Sequence, residues 1–194
     1  MSSRPLVLAS TSPYRRELLT RLRIPFDVCA PGVSEAPLPG EAARDTALRL
    51  AQLKARAVAP SYPGALVIAS DQVAALDGEC LGKPGNHQKA VSQLKALRGK
   101  CVTFHTALAL LNAATGALQL DEVPTAVYFR DYSDDEIERY LVAEQPYDCT
   151  GSAKIEGLGI ALVERMVSDD PSALIGLPLM RLITMLQHER VPIL

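Results

Sequence analysis

Leu6-Val7-Leu8-Ala9-Ser10-Thr11-Ser12-Pro13-Tyr14-Arg15-Arg16 decides how this chain begins to fold. The four apolar residues read as a short buried strand. A helix opens directly after it: Ser12 caps, Pro13 suits the first helical position, and Leu18, Leu19 and Leu22 recur as the apolar face. Such a strand-loop-helix junction aims backbone N–H groups and the positive helix end at whatever sits there, which favours an anion. Hydroxyls and guanidinium groups at the same junction make phosphate the expected ligand class. The plainer alternative is an ordinary βα turn carrying surface arginines.

Outward from that junction, strand-like runs alternate with helical periods. Phe26 to Ala30 reads as a second strand, and a helix is expected from about Glu41 to Ala59. Leu66-Val67-Ile68-Ala69 is a third apolar run, taken to end in Ser70-Asp71-Gln72. His87 to Leu97 reads as helix. Cys101 to Leu111 and Ala117 to Arg130 read as long strands joined through Asn112–Gly116. Ser133-Asp134-Asp135-Glu136 is a capping box, and Leu177 to His188 a closing helix. The pattern predicts an α/β fold with a mixed sheet flanked by helices, not a strict Rossmann alternation. No repeat, linker or low-complexity stretch divides the 194 residues, so a single domain over 1–194 is expected.

Bulk properties narrow the classes of partner. With 48% hydrophobic residues the chain can bury a sizeable core. A net charge of −2 argues against nonspecific nucleic-acid binding, which needs a broad basic face. Any phosphate site is then a local cluster of cations. Cys29, Cys80, Cys101 and Cys149 lie far apart, as do His87, His105 and His188, so reduced thiols are expected rather than a Cys/His zinc site. Met1-Ser2-Ser3-Arg4-Pro5 leads into too short an apolar run for a signal peptide. No apolar stretch reaches the roughly 18 residues of a membrane helix. A cytoplasmic protein with no membrane partner is expected; homodimerisation is left open.

Chemistry is expected at a few anomalies. Ala43, Ala47, Leu50, Ala51, Lys54 and Val58 share one helical stripe, with Asp45, Arg49, Gln52 and Arg56 opposite. Lys54 therefore sits on the face to be buried, where it either snorkels or answers a negative partner. Asp71 is read as ending a strand, where a carboxylate can hold a divalent metal or act as general base; the alternative is a turn-closing Asp. Asp77-Gly78-Glu79 reads as a turn. In Gly82-Lys83-Pro84 the flanking residues fix the direction of Lys83. Glu35 lies in the loop past the second strand. Gly151-Ser152-Ala153-Lys154-Ile155-Glu156-Gly157 is a Gly-bounded polar segment, and Ile175-Gly176-Leu177-Pro178 a turn. P-loop and dinucleotide glycine spacings are absent.

Taken in order, these motifs resemble the Maf family of nucleoside triphosphate pyrophosphatases over nearly the whole length. The matching segments are Ala9 to Arg16, Glu35, Lys54-Ala55, Ser70-Asp71-Gln72, Gly82-Lys83-Pro84, Gly151-Ser152 with Glu156-Gly157, and Ile175 to Pro178. The resemblance implies an elongated mixed sheet in two lobes with a cleft between them, as in Maf and ITPase-like proteins. It implies cleavage of a nucleoside triphosphate between its α and β phosphates, with Mg2+ or Mn2+ as divalent metal. Arg15, Lys54 and Lys83 would supply positive charge, and Ser10, Ser12 and backbone N–H groups would bind phosphate oxygens. Glu35 and Asp71 would hold the metal, Asp71 also taking the proton of the attacking water.

Tyr14, Gln72 and Glu156 resemble the positions that set base preference. The pyrimidine branch has Arg, Thr and Gln there, whereas this chain resembles the branch that hydrolyses 7-methyl-GTP, which implies removal of modified nucleotides from the pool. N7-methylation makes guanine cationic. A carboxylate such as Glu156 can accept its N1–H and N2–H while balancing that charge, and Tyr14 can stack on the ring. The alternatives are a dTTP/UTP pyrophosphatase of the same family, or a nucleotide-binding regulator linked to septum formation. Ser34 departs from the family, which often has Asp there, so no metal role is extended to it.

Overall fold

The computed structural model describes residues 4–194. Met1, Ser2 and Ser3, which open the N-terminal stretch read above, lie outside the described residues. The elements run β1 (Leu6–Ala9), α1 (Pro13–Thr20), β2 (Asp27–Cys29), α2 (Ala43–Val58), β3 (Leu66–Leu76), β4 (Glu79–Leu81), α3 (His87–Leu97), β5 (Cys101–Asn112), β6 (Leu118–Phe129), α4 (Asp134–Glu144), β7 (Val163–Ser168) and α5 (Leu179–His188). The strands form one sheet ordered β2-β1-β3-β5-β6-β7, with β4 paired to β3. β1 runs parallel to β2 and β3, while β4 on β3 and β7 on β6 are antiparallel. The expected mixed α/β class is what the chain adopts.

Two compact units divide the chain. The first comprises residues up to Gln72, Thr106–Val123 and Asp170–Leu194; the second comprises Val73–His105 and Pro124–Asp169. In the first, the core gathers Leu6 and Leu8 of β1, Leu18 and Leu19 of α1, Leu66 and Ile68 of β3, Leu108 and Leu110 of β5, and Leu182, Met185 and Leu186 of α5. Each fully buried aliphatic side chain contributes about 1.5–3 kcal/mol. Ser12 accepts from Arg15 N as the helix cap, as the sequence predicts. In the second unit Phe129, Leu94, Leu97, Ile137 and Leu141 are fully buried. Ser133 and Glu136 complete their capping box at the start of α4.

Two expectations are corrected, and one strand is added. β3 does not end at Asp71; it continues to Leu76 and turns through Asp77-Gly78, both at positive φ, into β4. The polar triplet Ser70-Asp71-Gln72 stays within the strand because each side chain finds a partner inside the fold. β7 had no counterpart in the sequence reading. The last helix starts at Leu179, after Pro178, not at Leu177. Among the described residues no helix is long and apolar enough to cross a membrane, and all four cysteines are free.

Candidate active site

Lys54 resolves the anomaly of its helix. It lies on the buried stripe of α2 at 4% exposure, and Nζ does not snorkel out. The ammonium donates to Asp71 Oδ1 at 2.6 Å and pairs with Glu35 Oε1 at 2.8 Å. Asp71 reaches it from the middle of β3, and Glu35 from the loop after β2. Two carboxylates thus converge on one ammonium. Burial lifts the Asp71 carboxyl above its ordinary range; Lys54 and Arg15 draw it down, and the Glu35 charge adds to the rise.

Arg15 faces the same pair from α1. Burial weakens its proton affinity, and the charges of Asp71 and Glu35 restore part of it. Its Nε donates to Gly176 O at 2.8 Å, which fixes the direction of the guanidinium and commits only one of its donor groups. Gly176 has φ +118, and a Cβ there would stand 3.3 Å from Arg15 Nε. The Ile175-Gly176-Leu177-Pro178 motif, read as a turn, is therefore a carbonyl aimed at an arginine. Ser70 Oγ also lies 2.8 Å from Gly176 O and 2.7 Å from Ala107 O.

Ser10 Oγ accepts from Ser12 N at 3.1 Å, so the first hydroxyl of the junction shapes the loop ahead of α1. Tyr14 is half-buried on the first turn of that helix. Gln72 is more informative. Its Nε2 lies 2.9 Å from Thr106 Oγ1, 3.1 Å from Ala173 O and 2.9 Å from Leu174 O. Two carbonyls around one atom require that atom to be the NH2 group, so both its protons are committed. Gln72 has only its oxygen left to offer, and is an acceptor.

The loop carrying Glu35 is strapped to α2. Arg49 donates to both oxygens of Glu41, at 2.6 and 2.7 Å, and to Ala36 O at 3.2 Å. Thr46 Oγ1 and Leu38 N also donate to Glu41, whose carboxyl is held down at about 2, first by the Arg49 hydrogen bond.

Lys83 and Glu156 belong to the second unit. Gly82 O accepts from Gln93 Nε2 at 2.9 Å and Gly151 N at 3.3 Å, and Gly85 N donates to Tyr147 O at 2.9 Å. Ser152 Oγ donates to Gln93 Oε1. One side chain of α3 thereby fastens the Gly82-Lys83-Pro84 loop to the Gly151-Ser152 segment. Glu156 is exposed on a loop clamped by α4: Glu144 pairs with Lys154 Nζ at 2.7 Å and accepts from Leu158 N at 2.8 Å, and Tyr140 Oη accepts from Lys154 N at 2.9 Å. Gly159 is obligatory there, because a Cβ would lie 2.5 Å from Lys154 O.

Glu35 and Asp71 are a donor set suited to a hard cation. Mg2+ and Mn2+ take carboxylate oxygens, and Mg2+ is commonly held by one or two of them, the rest coming from water and substrate phosphates. Among the described residues no group of three or more His, Cys, Asp and Glu side chains gathers around a metal position. Sequence reasoning missed Asp170, whose carboxylate organises the loop behind Arg15 and Gln72. Its only signal, Asp169-Asp170-Pro171-Ser172, reads as a plain turn.

The profile of Maf-like proteins matches residues 5–189. A relative named 7-methyl-GTP pyrophosphatase from Thiobacillus denitrificans is 61% identical over 193 residues, covering 100% of this chain and 96% of the relative. Relatives with the same name from Cupriavidus metallidurans (58% over 187 residues; 96% and 94% covered) and Methylobacillus flagellatus (59% over 190 residues; 98% and 99% covered) are similar. With the profile spanning both units and the motifs in place, the chain belongs to the Maf family.

Proposed function

We propose that the chain hydrolyses 7-methyl-GTP to 7-methyl-GMP and pyrophosphate, working as one catalytic domain. The carrying observation is the cluster in which Lys54 and Arg15 face Asp71 and Glu35, in a chain so similar over its length to relatives bearing that name. Water attacks the α-phosphorus, the bond to the bridging oxygen breaks, and pyrophosphate leaves with that oxygen. Asp71, lifted by burial, accepts the water's proton; Lys54, 2.6 Å away, holds the carboxylate in place and offsets charge as it builds on phosphate oxygens. Arg15, fixed at Nε by Gly176 O, directs its remaining donors at the triphosphate. Ser10 and Ser12 shape the phosphate-facing junction, and Lys83, on its fastened loop, adds positive charge. Glu35 and Asp71 are the residues that would hold Mg2+ or Mn2+, which when bound neutralises phosphate charge.

Base choice falls to Tyr14, Gln72 and Glu156. Gln72, restricted to its oxygen, accepts from a base N–H, and Glu156 matches a cationic purine. Pyrophosphate release from 7-methyl-GTP, GTP, dTTP and UTP tests this, compared as kcat/KM because discrimination is a ratio of those values. 7-Methyl-GTP should lead. Glu156→Gln should lower its kcat/KM by roughly 10- to 150-fold, the value of about 1.5–3 kcal/mol for a charge-assisted hydrogen bond, with smaller losses on GTP and dTTP. A wild-type preference for dTTP would refute the substrate assignment.

A further inference from the structure

Four side chains of the site, Gln72, Thr106, Arg15 and Ser70, lean on one short loop. Between Asp170 and Pro178, Ala173 O receives Gln72 Nε2 and Thr106 Oγ1, Leu174 O receives Gln72 Nε2, and Gly176 O receives Arg15 Nε and Ser70 Oγ. Carbonyls aim side chains well only if the loop bearing them holds its shape. The loop is two successive turns, Ala173 N to Asp170 O at 3.0 Å and Gly176 N to Ala173 O at 2.9 Å.

What closes it is Asp170, 2% exposed. Its Oδ1 accepts from Ser172 N at 3.0 Å and from Ser172 Oγ. Its Oδ2 accepts from Met180 N at 2.7 Å and Arg181 N at 3.4 Å, in the first turn of α5. Ser172 Oγ in turn accepts from Leu179 N at 2.7 Å. α5 has Pro178 at its cap position, no side-chain cap and no acidic residue in its first turn, so Asp170 supplies both the acceptor and the negative charge that this helix start lacks. One carboxylate ties the beginning of the loop to the helix at its end.

We infer that Asp170 is a positioning residue for the reaction: it acts through the carbonyls of Ala173, Leu174 and Gly176 to set the guanidinium of Arg15 and the amide of Gln72. The inference rests on the proposed role of Arg15, and the test separates the two. Asp170→Asn places an NH2 group where only acceptors fit. The Arg15 Nε–H resonance, assigned by its absence in Arg15→Lys, should be protected from exchange in the wild type and lose that protection in Asp170→Asn. Ser172→Ala, which removes one strut of the same knot, should show the same loss in lesser degree and serves should Asp170→Asn not fold. Pyrophosphate release, on whichever triphosphate the wild type prefers, should fall at least tenfold in kcat/KM in Asp170→Asn. In an Arg15→Lys background the fold-loss should be smaller, since the part that runs through the Gly176 carbonyl is already lost and only the part through Gln72 remains. An unchanged Arg15 resonance, or equal fold-losses in both backgrounds, would overturn the inference. An inactive wild type would instead count against the proposed function and leave the resonance to decide for Asp170.

Discussion

Lys54 and Asp71 contact each other at 2.6 Å with side chains only 5% and 8% exposed, yet removing either should have unequal consequences. In Asp71→Asn the ammonium keeps Glu35 at 2.8 Å, and the cost of burying the Asp71 charge disappears. Stability should move by no more than about 1 kcal/mol, a Tm shift of about 2–4 °C for a chain of this size. Turnover should fall by roughly 10²–10⁴, the worth of the general base proposed for Asp71. In Lys54→Met, Asp71 loses its nearest partner while still buried. Removing one member of a buried pair costs about 3–5 kcal/mol, and since Arg15 still favours the carboxylate the lower end applies, or about 6–12 °C in Tm. The sign with pH follows. Burial already raises the folded pKa of Asp71, and without Lys54 it rises further above the unfolded value of about 3.9. A carboxyl raised in the folded state costs nothing below the unfolded pKa, and the cost grows as pH climbs to the folded one. Calorimetry against the wild type should therefore find the Lys54→Met deficit full at pH 7 and smaller toward pH 4. A Lys54→Met protein melting within 2 °C of wild type at pH 7 would refute the claim that this ammonium stabilises a buried charge.

Two further outcomes follow. Glu41 is held down at about 2, first by Arg49, so its contribution to stability is present above the ordinary carboxylate range and lost as pH falls toward 2. The Tm deficit of Glu41→Gln should be full at pH 7 and close below about pH 4.3; a deficit constant with pH would argue against the ion pair. Gly159→Ala drives a Cβ to 2.5 Å from backbone at Lys154, so the loop must shift. Destabilisation of about 1–3 kcal/mol is expected, with reduced preference for 7-methyl-GTP over GTP; urea unfolding and paired kcat/KM values measure both, and an unchanged midpoint would refute the close approach.

Where local chemistry decides structure, the sequence was legible. Ser12 caps α1 and Ser133 with Glu136 caps α4, because each cap is made within three residues. α3 begins and ends at His87 and Leu97 as read, while the misfit of Lys54 on an apolar stripe left snorkelling and a negative partner both open, and the fold supplies the partner. What was missed depends on distant residues. Ser70, Asp71 and Gln72 look like a strand end until Ala107, Lys54 and Thr106 arrive to satisfy them. β7 lies at the end of the strand order and is exposed at four of its six positions, so no apolar run announces it. Asp170 accepts from amides ten and eleven residues away, on a helix whose own start carries no cap signal.

That helix start also bears on folding. The first amides of α5 are satisfied from outside the helix, so its opening turn lacks these acceptors until the loop ahead of it has formed, and the loop lacks its tie through Asp170 Oδ2 until that turn exists. Two elements that each nucleate poorly are thereby joined into one cooperative unit. The exchange of the Met180 and Arg181 amides with solvent then reports the opening of the loop behind Arg15, and does so without any substrate present.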